Sequence, residues 1–278
     1  MSTFGLELYS FADLRRPGAL AAIGRAFDLD ARLRPERMDV RDPLRNEIAS
    51  AEGYFANTAA LVETSDFFFE RRHVPRLSGA LSAVSYREDD LRDSPHRLYA
   101  GTDDADEEWL QDPAHLEAFA QLFVRLAGGF EATYGFVADD RMPRQQRGEF
   151  AQARQRRQYA PAAPDEHSDG HSVRDVYWLN YFGPAYVERW GERLAGLGVR
   201  QERTTNGGIA IWATETPLVY REDVGSFMDY PWKQPFYEAL GRDTFVNAVS
   251  APWDQRVPTR QDHLRHLGRG GGPASGPI

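Results

Sequence analysis

Residues 112–139 constrain the fold of this chain most, because they contain a helix with two marked ends and a strand directly after it. Asp112 is a favoured N-cap residue, Pro113 is a favoured first helical residue, and Gly128 ends the helical pattern. A strand is predicted at residues 130–139, so we expect the helix to pack on a sheet. The apolar residues of the helix recur at steps of three and four: Leu116, Phe119, Ala120, Phe123, Leu126 and Ala127.

The rest of the first half also contains helix and strand patterns. Apolar residues at helical spacing predict a helix over residues 13–27, with Asp13 as its N-cap. The polar residues 28–46 are interrupted by prolines and predict a loop. Strands are predicted at residues 4–10, 67–72 and 79–87, the last two as an antiparallel pair.

The second half repeats an order of strand, helix and hairpin. A strand is predicted at residues 173–182, and Pro184 begins a helix that runs to about Leu197. A hairpin follows at residues 199–215, and a further helix is predicted at residues 235–241. The chain is therefore predicted to have an α+β fold, with a mainly antiparallel sheet, helices packed on one face and two loosely similar halves.

The domain organisation follows from the same patterns. We expect a single α+β domain over residues 1–265, with halves at about 1–140 and 173–265. Residues 141–172 are charged, then rich in proline and alanine, and predict a polar connecting loop. Residues 266–278 are rich in glycine and predict a disordered tail.

Composition excludes several classes of function. The chain contains no cysteine, which excludes disulfides, thiolate nucleophiles and cysteine-based zinc sites. No apolar run is long enough for a membrane span and no export signal is recognisable, so we expect a cytoplasmic protein. The net charge of -9 argues against nucleic acid as the ligand and favours a basic protein partner. Lys233 is the only lysine, which confines any lysine-based mechanism to that position.

One segment has the composition of a metal site. Within the sequence DEHSDGHS, imidazoles and carboxylates alternate at Asp165, His167, Asp169 and His171, and both groups bind zinc, manganese or iron. The spacing is not that of a helical zinc motif, and rigid elements normally hold a catalytic metal, so a solvated loop is the expected alternative. No nucleophile with its base is recognisable elsewhere. We therefore expect no enzyme activity and no cofactor, and keep a metal-dependent hydrolase as the alternative function.

Two groups of residues are candidates for binding a protein partner. An acidic run stands directly before the helix that begins at Pro113, where negative charge is also favoured by the helix dipole. Aromatic residues in the second half are of the kind that interfaces favour, although they serve equally well in a core. The candidate contact residues are Asp103, Asp104, Asp106, Glu107, Glu108, Trp212 and Trp232.

The second half resembles a family of bacterial polymorphic-toxin immunity proteins. The stretch VYWLNYFGPAYVERWGERLAGLG, followed by GGIAIWATETP, is similar to the C-terminal half of immunity protein family fifty-two. More loosely, PAHLEAFAQLFVRLAGGFEATYGFVAD resembles the helix and strand of type VI secretion immunity proteins. The resemblance is best over residues 173–215, moderate over residues 67–138, and absent from the first 60 residues and the tail.

The resemblance implies a cytoplasmic protein that binds and blocks a cognate toxin, often a nuclease, without catalysing a reaction. The family supplies no catalytic residues to carry over, and it leaves the oligomeric state open. If any aromatic residue of the stretch 177–191 is exposed, we expect the partner on the sheet face opposite the helices. A structural or adaptor protein that uses its aromatic C-terminal region is a third hypothesis.

Overall fold

Ten β-strands form the framework of the part of the chain that the structure describes. The computed structural model describes residues 2–83, 86, 95–103, 106–146, 149, 173, 175–217, 224–245 and 260–267. All ten strands belong to one antiparallel sheet, in the spatial order β3-β2-β4-β5-β6-β1-β7-β8-β10-β9. In chain order they are β1 (Ser2–Ser10), β2 (Arg37–Asp39), β3 (Asn46–Glu47), β4 (Phe67–Arg71), β5 (Leu77–Ser82), β6 (His96–Asp103), β7 (Tyr134–Asp139), β8 (Leu179–Phe182), β9 (Gln201–Arg203) and β10 (Ile209–Trp212).

The helices lie between and after these strands. Residues 141–146 are also helical. Together, the sheet and the helices confirm the predicted α+β class. The helices with defined bounds are α1 (Ala19–Asp28), α2 (Ala51–Thr58), α3 (Glu107–Gln111), α4 (Pro113–Gly129), α5 (Pro184–Ala195), α6 (Gln234–Leu240) and α7 (Arg260–Leu267).

Two hydrophobic clusters lie on opposite faces of the sheet. Neighbouring residues of a strand point to opposite faces. In β7, Val137 belongs to a cluster with residues of α1, α2 and α4, whereas Phe136 and Ala138 belong to a cluster with residues of α5 and α6. Each half therefore packs its helices on one face of the sheet, and the two halves use opposite faces.

Several predicted elements are confirmed by the structure. Strands β4 and β5 pair antiparallel, with Phe68 opposite Ala80. Helix α4 has the predicted start, because Ala114 donates its backbone N–H to Oδ1 of the N-cap Asp112 at 2.8 Å, but the helix includes Gly128 and ends at Gly129. Helix α5 begins at Pro184 as predicted, and the hairpin and the helix near residue 235 are also present.

The predicted start of the first helix is wrong. Helix α1 begins at Ala19 after the N-cap Gly18, six residues later than Asp13. The Asp13 carboxylate instead accepts hydrogen bonds from the Arg15 guanidinium and the Tyr86 hydroxyl. These contacts, with Arg15 contributing most, hold the pKa of Asp13 well below its usual range. A residue that is a good N-cap by type is therefore used to fix a loop.

Other boundaries also differ from the prediction. The short strand β2 lies within the predicted loop 28–46 and β3 begins at its last residue, and β6 has no counterpart among the predicted strands. Helix α7 includes His266 and Leu267, which the prediction placed in the tail, and residues 268–278 lie outside the described residues. Of the predicted loop 141–172, residues 141–146 are helical, and most of the remainder lies outside the described residues.

Candidate functional site

The candidate functional site is the side of β5, β6 and β1 that points away from α1 and α4, which we call the open face. Leu98 and Ala100 of β6 point toward those helices and belong to the core. Arg97 and Tyr99, the two neighbours of Leu98 in the strand, therefore point to the open face. Tyr99 is 37% exposed, which is a large fraction for an aromatic residue near the middle of a sheet.

A groove crosses the open face beside Tyr99. Tyr99 lies opposite Glu7 of β1, and in the next row Gly101 lies opposite Gly5. The two glycines leave the floor of the sheet without side chains. The groove has a volume of about 260 Å³, and residues 140–144 form one of its sides. This volume is below that of typical small-molecule sites, which are roughly 300–1,000 Å³, and suits one side chain of a protein partner better.

The side chains beside the groove are held in place by each other. The Glu7 carboxylate accepts hydrogen bonds from the Tyr9 hydroxyl at 2.5 Å and from the Arg97 guanidinium at 3.1 Å. The Arg97 guanidinium also lies 4.9 Å from the centre of the Tyr99 ring. An aromatic ring fixed before binding loses little entropy when a partner docks, and tyrosine is frequent among the residues that dominate interface energies.

The predicted acidic residues are divided between surface and core. Asp103 is exposed at the end of β6 and lies 3.4 Å from the Arg76 guanidinium. Asp106 is buried, and its Oδ2 accepts the backbone N–H of Arg76 at 2.5 Å. Asp106 therefore ties the start of α3 to β5. Glu107 and Glu108 belong to α3, where Glu108 is exposed, and Asp104 lies outside the described residues.

The two predicted tryptophans are involved in packing. Trp212 is buried in the core at the end of β10, and the Arg200 guanidinium lies 3.9 Å from the centre of its ring. Trp232 is half-buried and packs against the second hydrophobic cluster. As toxin contacts, these two residues and the acidic group remain predictions.

Sequence reasoning did not identify a buried charge cluster around Lys233. The side chain of this lysine is 0% exposed, and its Nζ donates hydrogen bonds to Oδ2 of Asp175 and, at 2.7 Å, to the carbonyl of Phe227. The Tyr237 hydroxyl donates to Oδ1 of Asp175 at 2.6 Å. Burial raises the pKa of Asp175 and lowers that of Lys233, while their mutual attraction acts in the opposite direction. The cluster joins the start of the second half to residues 227–237.

The predicted metal segment, with Asp165, His167, Asp169 and His171, lies outside the described residues. Within the part of the chain that the structure describes, no group of three or more histidine, aspartate or glutamate residues is placed to hold a metal ion. None of the described helices is long and apolar enough to cross a bilayer.

The fold is similar to that of a known secretion-system protein. No protein-family model and no curated protein matches the chain. A solved structure of a Pseudomonas aeruginosa T6SS protein matches with a TM-score of 0.54 and 14% sequence identity, and the match covers 95% of this chain and 81% of that chain. At this identity the likeness concerns the fold alone. The resemblance to immunity protein family fifty-two remains a prediction.

Proposed function

We propose that this chain is an immunity protein of a bacterial type VI secretion system, which binds a cognate toxin in the cytoplasm and blocks it without catalysis. The observation that carries the proposal is the fold likeness to a T6SS protein over 95% of the chain. The resemblance of residues 173–215 to a family of immunity proteins supports the same function. In this proposal the open face contacts the toxin.

The electrostatics of the chain favour a basic toxin, such as a nuclease. A protein with a net charge of -9 attracts a basic partner over long distances and so raises the rate of encounter. Apolar and aromatic anchors then determine how long the complex lasts. On the open face, Tyr99 and the groove beside it have the features of such an anchor.

Co-expression with the product of the neighbouring gene tests the proposal. We expect that product to stop growth when expressed alone, and growth to resume when this chain is present. The purified proteins should form a complex, and Tyr99→Ala should raise its Kd about fivefold or more, since truncation of a tyrosine that anchors an interface costs more than about 1 kcal/mol.

The matched control for Tyr99→Ala is Leu29→Ala, because Leu29 is an exposed apolar residue at the end of α1, away from the open face. Its binding should equal that of the native chain. A neighbouring product that is harmless, or one that remains toxic beside this chain, would contradict the proposed function. If Tyr99→Ala binds the neighbouring product as tightly as the native chain does, the open face is not the surface that contacts the toxin.

A further inference from the structure

Glu131 has a backbone conformation that glutamate rarely adopts. It follows α4, where Glu131 and Ala132 donate their backbone N–H groups to Gly128 and Ala127 at 3.2 and 2.9 Å and so close the end of the helix. Its φ is 48°, and among the described residues it is the only non-glycine residue with positive φ. Glycine is the usual residue at this position of a helix end. A strained residue of another type suggests a role for its side chain.

The Glu131 side chain borders a cavity of about 510 Å³, which we call the Glu131 notch. Thr205 and Asn206, in the turn between β9 and β10, line it, as do Pro184 and Leu267. Oδ1 of Asn206 accepts hydrogen bonds from the Tyr181 hydroxyl at 2.8 Å and the Thr204 hydroxyl at 2.6 Å. The turn is therefore fixed in position beside the notch.

The Glu131 carboxylate has capacity for a second cation. Arg16 donates a hydrogen bond to Oε1 at 2.5 Å, and this is the only contact to the carboxylate found among the described residues. A carboxylate has about four acceptor positions, and the Glu131 side chain is 32% exposed. The second oxygen, Oε2, can therefore accept from a group that enters the notch.

The surroundings of the notch favour a positive charge over a negative one. The C-terminal end of α4 directs its partial negative charge toward this region. His266 also lines the notch, and its Nε2 lies 2.8 Å from the carboxylate of Glu188, which is not part of the lining. Arg16 also lines the notch, and its positive charge opposes a further cation; its guanidinium donates hydrogen bonds to Glu131 and, at 3.0 Å, to the carbonyl of Asp13. The net charge of -9 acts in the same direction as the end of α4 and the free oxygen of Glu131.

We infer that the Glu131 notch receives an arginine or lysine side chain of the toxin. The aliphatic part of such a side chain packs between Pro184 and Leu267, and its head group donates to Oε2 of Glu131 and to the hydroxyl of Thr205. This inference rests on the proposed function, because it names the part of the toxin that the notch recognises. It also accounts for a glutamate at a position whose backbone conformation favours glycine.

Two substitutions of Glu131 test its role in toxin binding separately from its role in the stability of the fold. Glu131→Gly removes the carboxylate and supplies the residue that suits positive φ, so the melting temperature should be unchanged or higher. The Kd for the product of the neighbouring gene, carrying an inactivating substitution, should rise about tenfold or more. Glu131→Gln retains the shape of the side chain without its charge and should lose affinity to a similar extent. Thermal unfolding and isothermal titration calorimetry measure the two quantities.

The matched control is Glu52→Gln, which removes a comparable ion pair elsewhere. Glu52 accepts from Arg25 at 2.7 Å, and its side chain is 39% exposed on α2. This variant should bind as the native chain does. A lower melting temperature for Glu131→Gly would overturn the inference, because it would show that the glutamate serves stability. Unchanged affinity of both Glu131 variants would overturn it as well. If the native chain does not bind the neighbouring product, the proposed function fails and the inference fails with it.

Discussion

At the scale of single residues, burial determines the charge state of His96. This histidine begins β6 and is almost completely enclosed, with its ring centre 4.7 Å from that of Tyr86. Burial disfavours the protonated ring and lowers the pKa of His96 to about 4. The residue is therefore neutral at physiological pH, and it remains neutral in the folded protein at pH values where an exposed histidine takes up a proton.

We expect His96 to make the protein less stable in mild acid. Between pH 6.5 and about 4 the unfolded chain binds a proton at this residue and the folded chain does not, so the free energy of unfolding falls as the pH is lowered through that window. The loss is on the order of 3 kcal/mol for this group. Urea unfolding at about pH 7 and about pH 4.5 measures it.

The variant His96→Phe is the comparison for this titration, since phenylalanine retains an aromatic ring beside Tyr86 but has no group that titrates. Its free energy of unfolding should change much less between the two pH values. An equal loss in the native chain and the variant would assign the acid sensitivity to other groups.

At the scale of secondary-structure elements, a glycine permits the close contact of two helices. A Cβ added at Gly24 of α1 would lie 2.5 Å from the backbone N and Cα of Glu52 in α2. No side-chain rotation relieves such an overlap, because both atoms are backbone. Gly191 of α5 is different, since the nearest atom to a Cβ there is Cγ1 of Val187 at 3.7 Å.

Alanine at these two glycines should therefore change stability in opposite directions. Gly24→Ala forces α1 and α2 apart and should lower the free energy of unfolding by about 2 kcal/mol or more. Gly191→Ala reduces the freedom of the unfolded chain without a clash and should raise it by about 0.5–1 kcal/mol. Urea unfolding of both variants checks the pair, and a change of the same sign in both would contradict this account of the helix contact.

Elements with strong local signals could be predicted from the sequence. Helix α4 has its cap, its proline and its apolar face all within residues 112–129, and the structure uses all three as the sequence indicates. Strands β2 and β3 are three and two residues long, which is too short for an alternating pattern. Asp13 has the right type for an N-cap, but Arg15 and Tyr86 compete for its carboxylate.

The candidate surfaces were less predictable than the helices. The open face has a local signal, because Arg97, Tyr99 and Gly101 alternate with the apolar residues of β6. The Glu131 notch has none, since residues distant in the chain meet there only after folding. The same holds for Lys233, whose partner Asp175 is 58 positions away.

At the scale of the whole molecule, the charge of the chain should govern how quickly it finds its toxin. The net charge of -9 creates a long-range attraction for a basic partner, whereas contacts in the complex act only at short range. Salt screens the first effect much more than the second, because the screening length shortens to about 8 Å at physiological ionic strength.

The association rate constant with the neighbouring product should therefore fall about tenfold or more as ionic strength rises from about 0.02 to about 0.3 M, while the dissociation rate constant changes little. Stopped-flow fluorescence measures both constants. An association rate that rises with salt would indicate an acidic partner and contradict the electrostatic part of the proposal.

The enclosure of Lys233 has a practical consequence for mapping any complex. Because this is the only lysine and its side chain is 0% exposed, the folded chain presents no lysine amine to acylating reagents. In cross-linking with amine-specific reagents, the reactive lysines must come from the partner. Acylation at position 233 would in turn report that the buried contacts of Lys233 with Asp175 and the carbonyl of Phe227 have opened, which makes this residue a built-in chemical indicator of local unfolding.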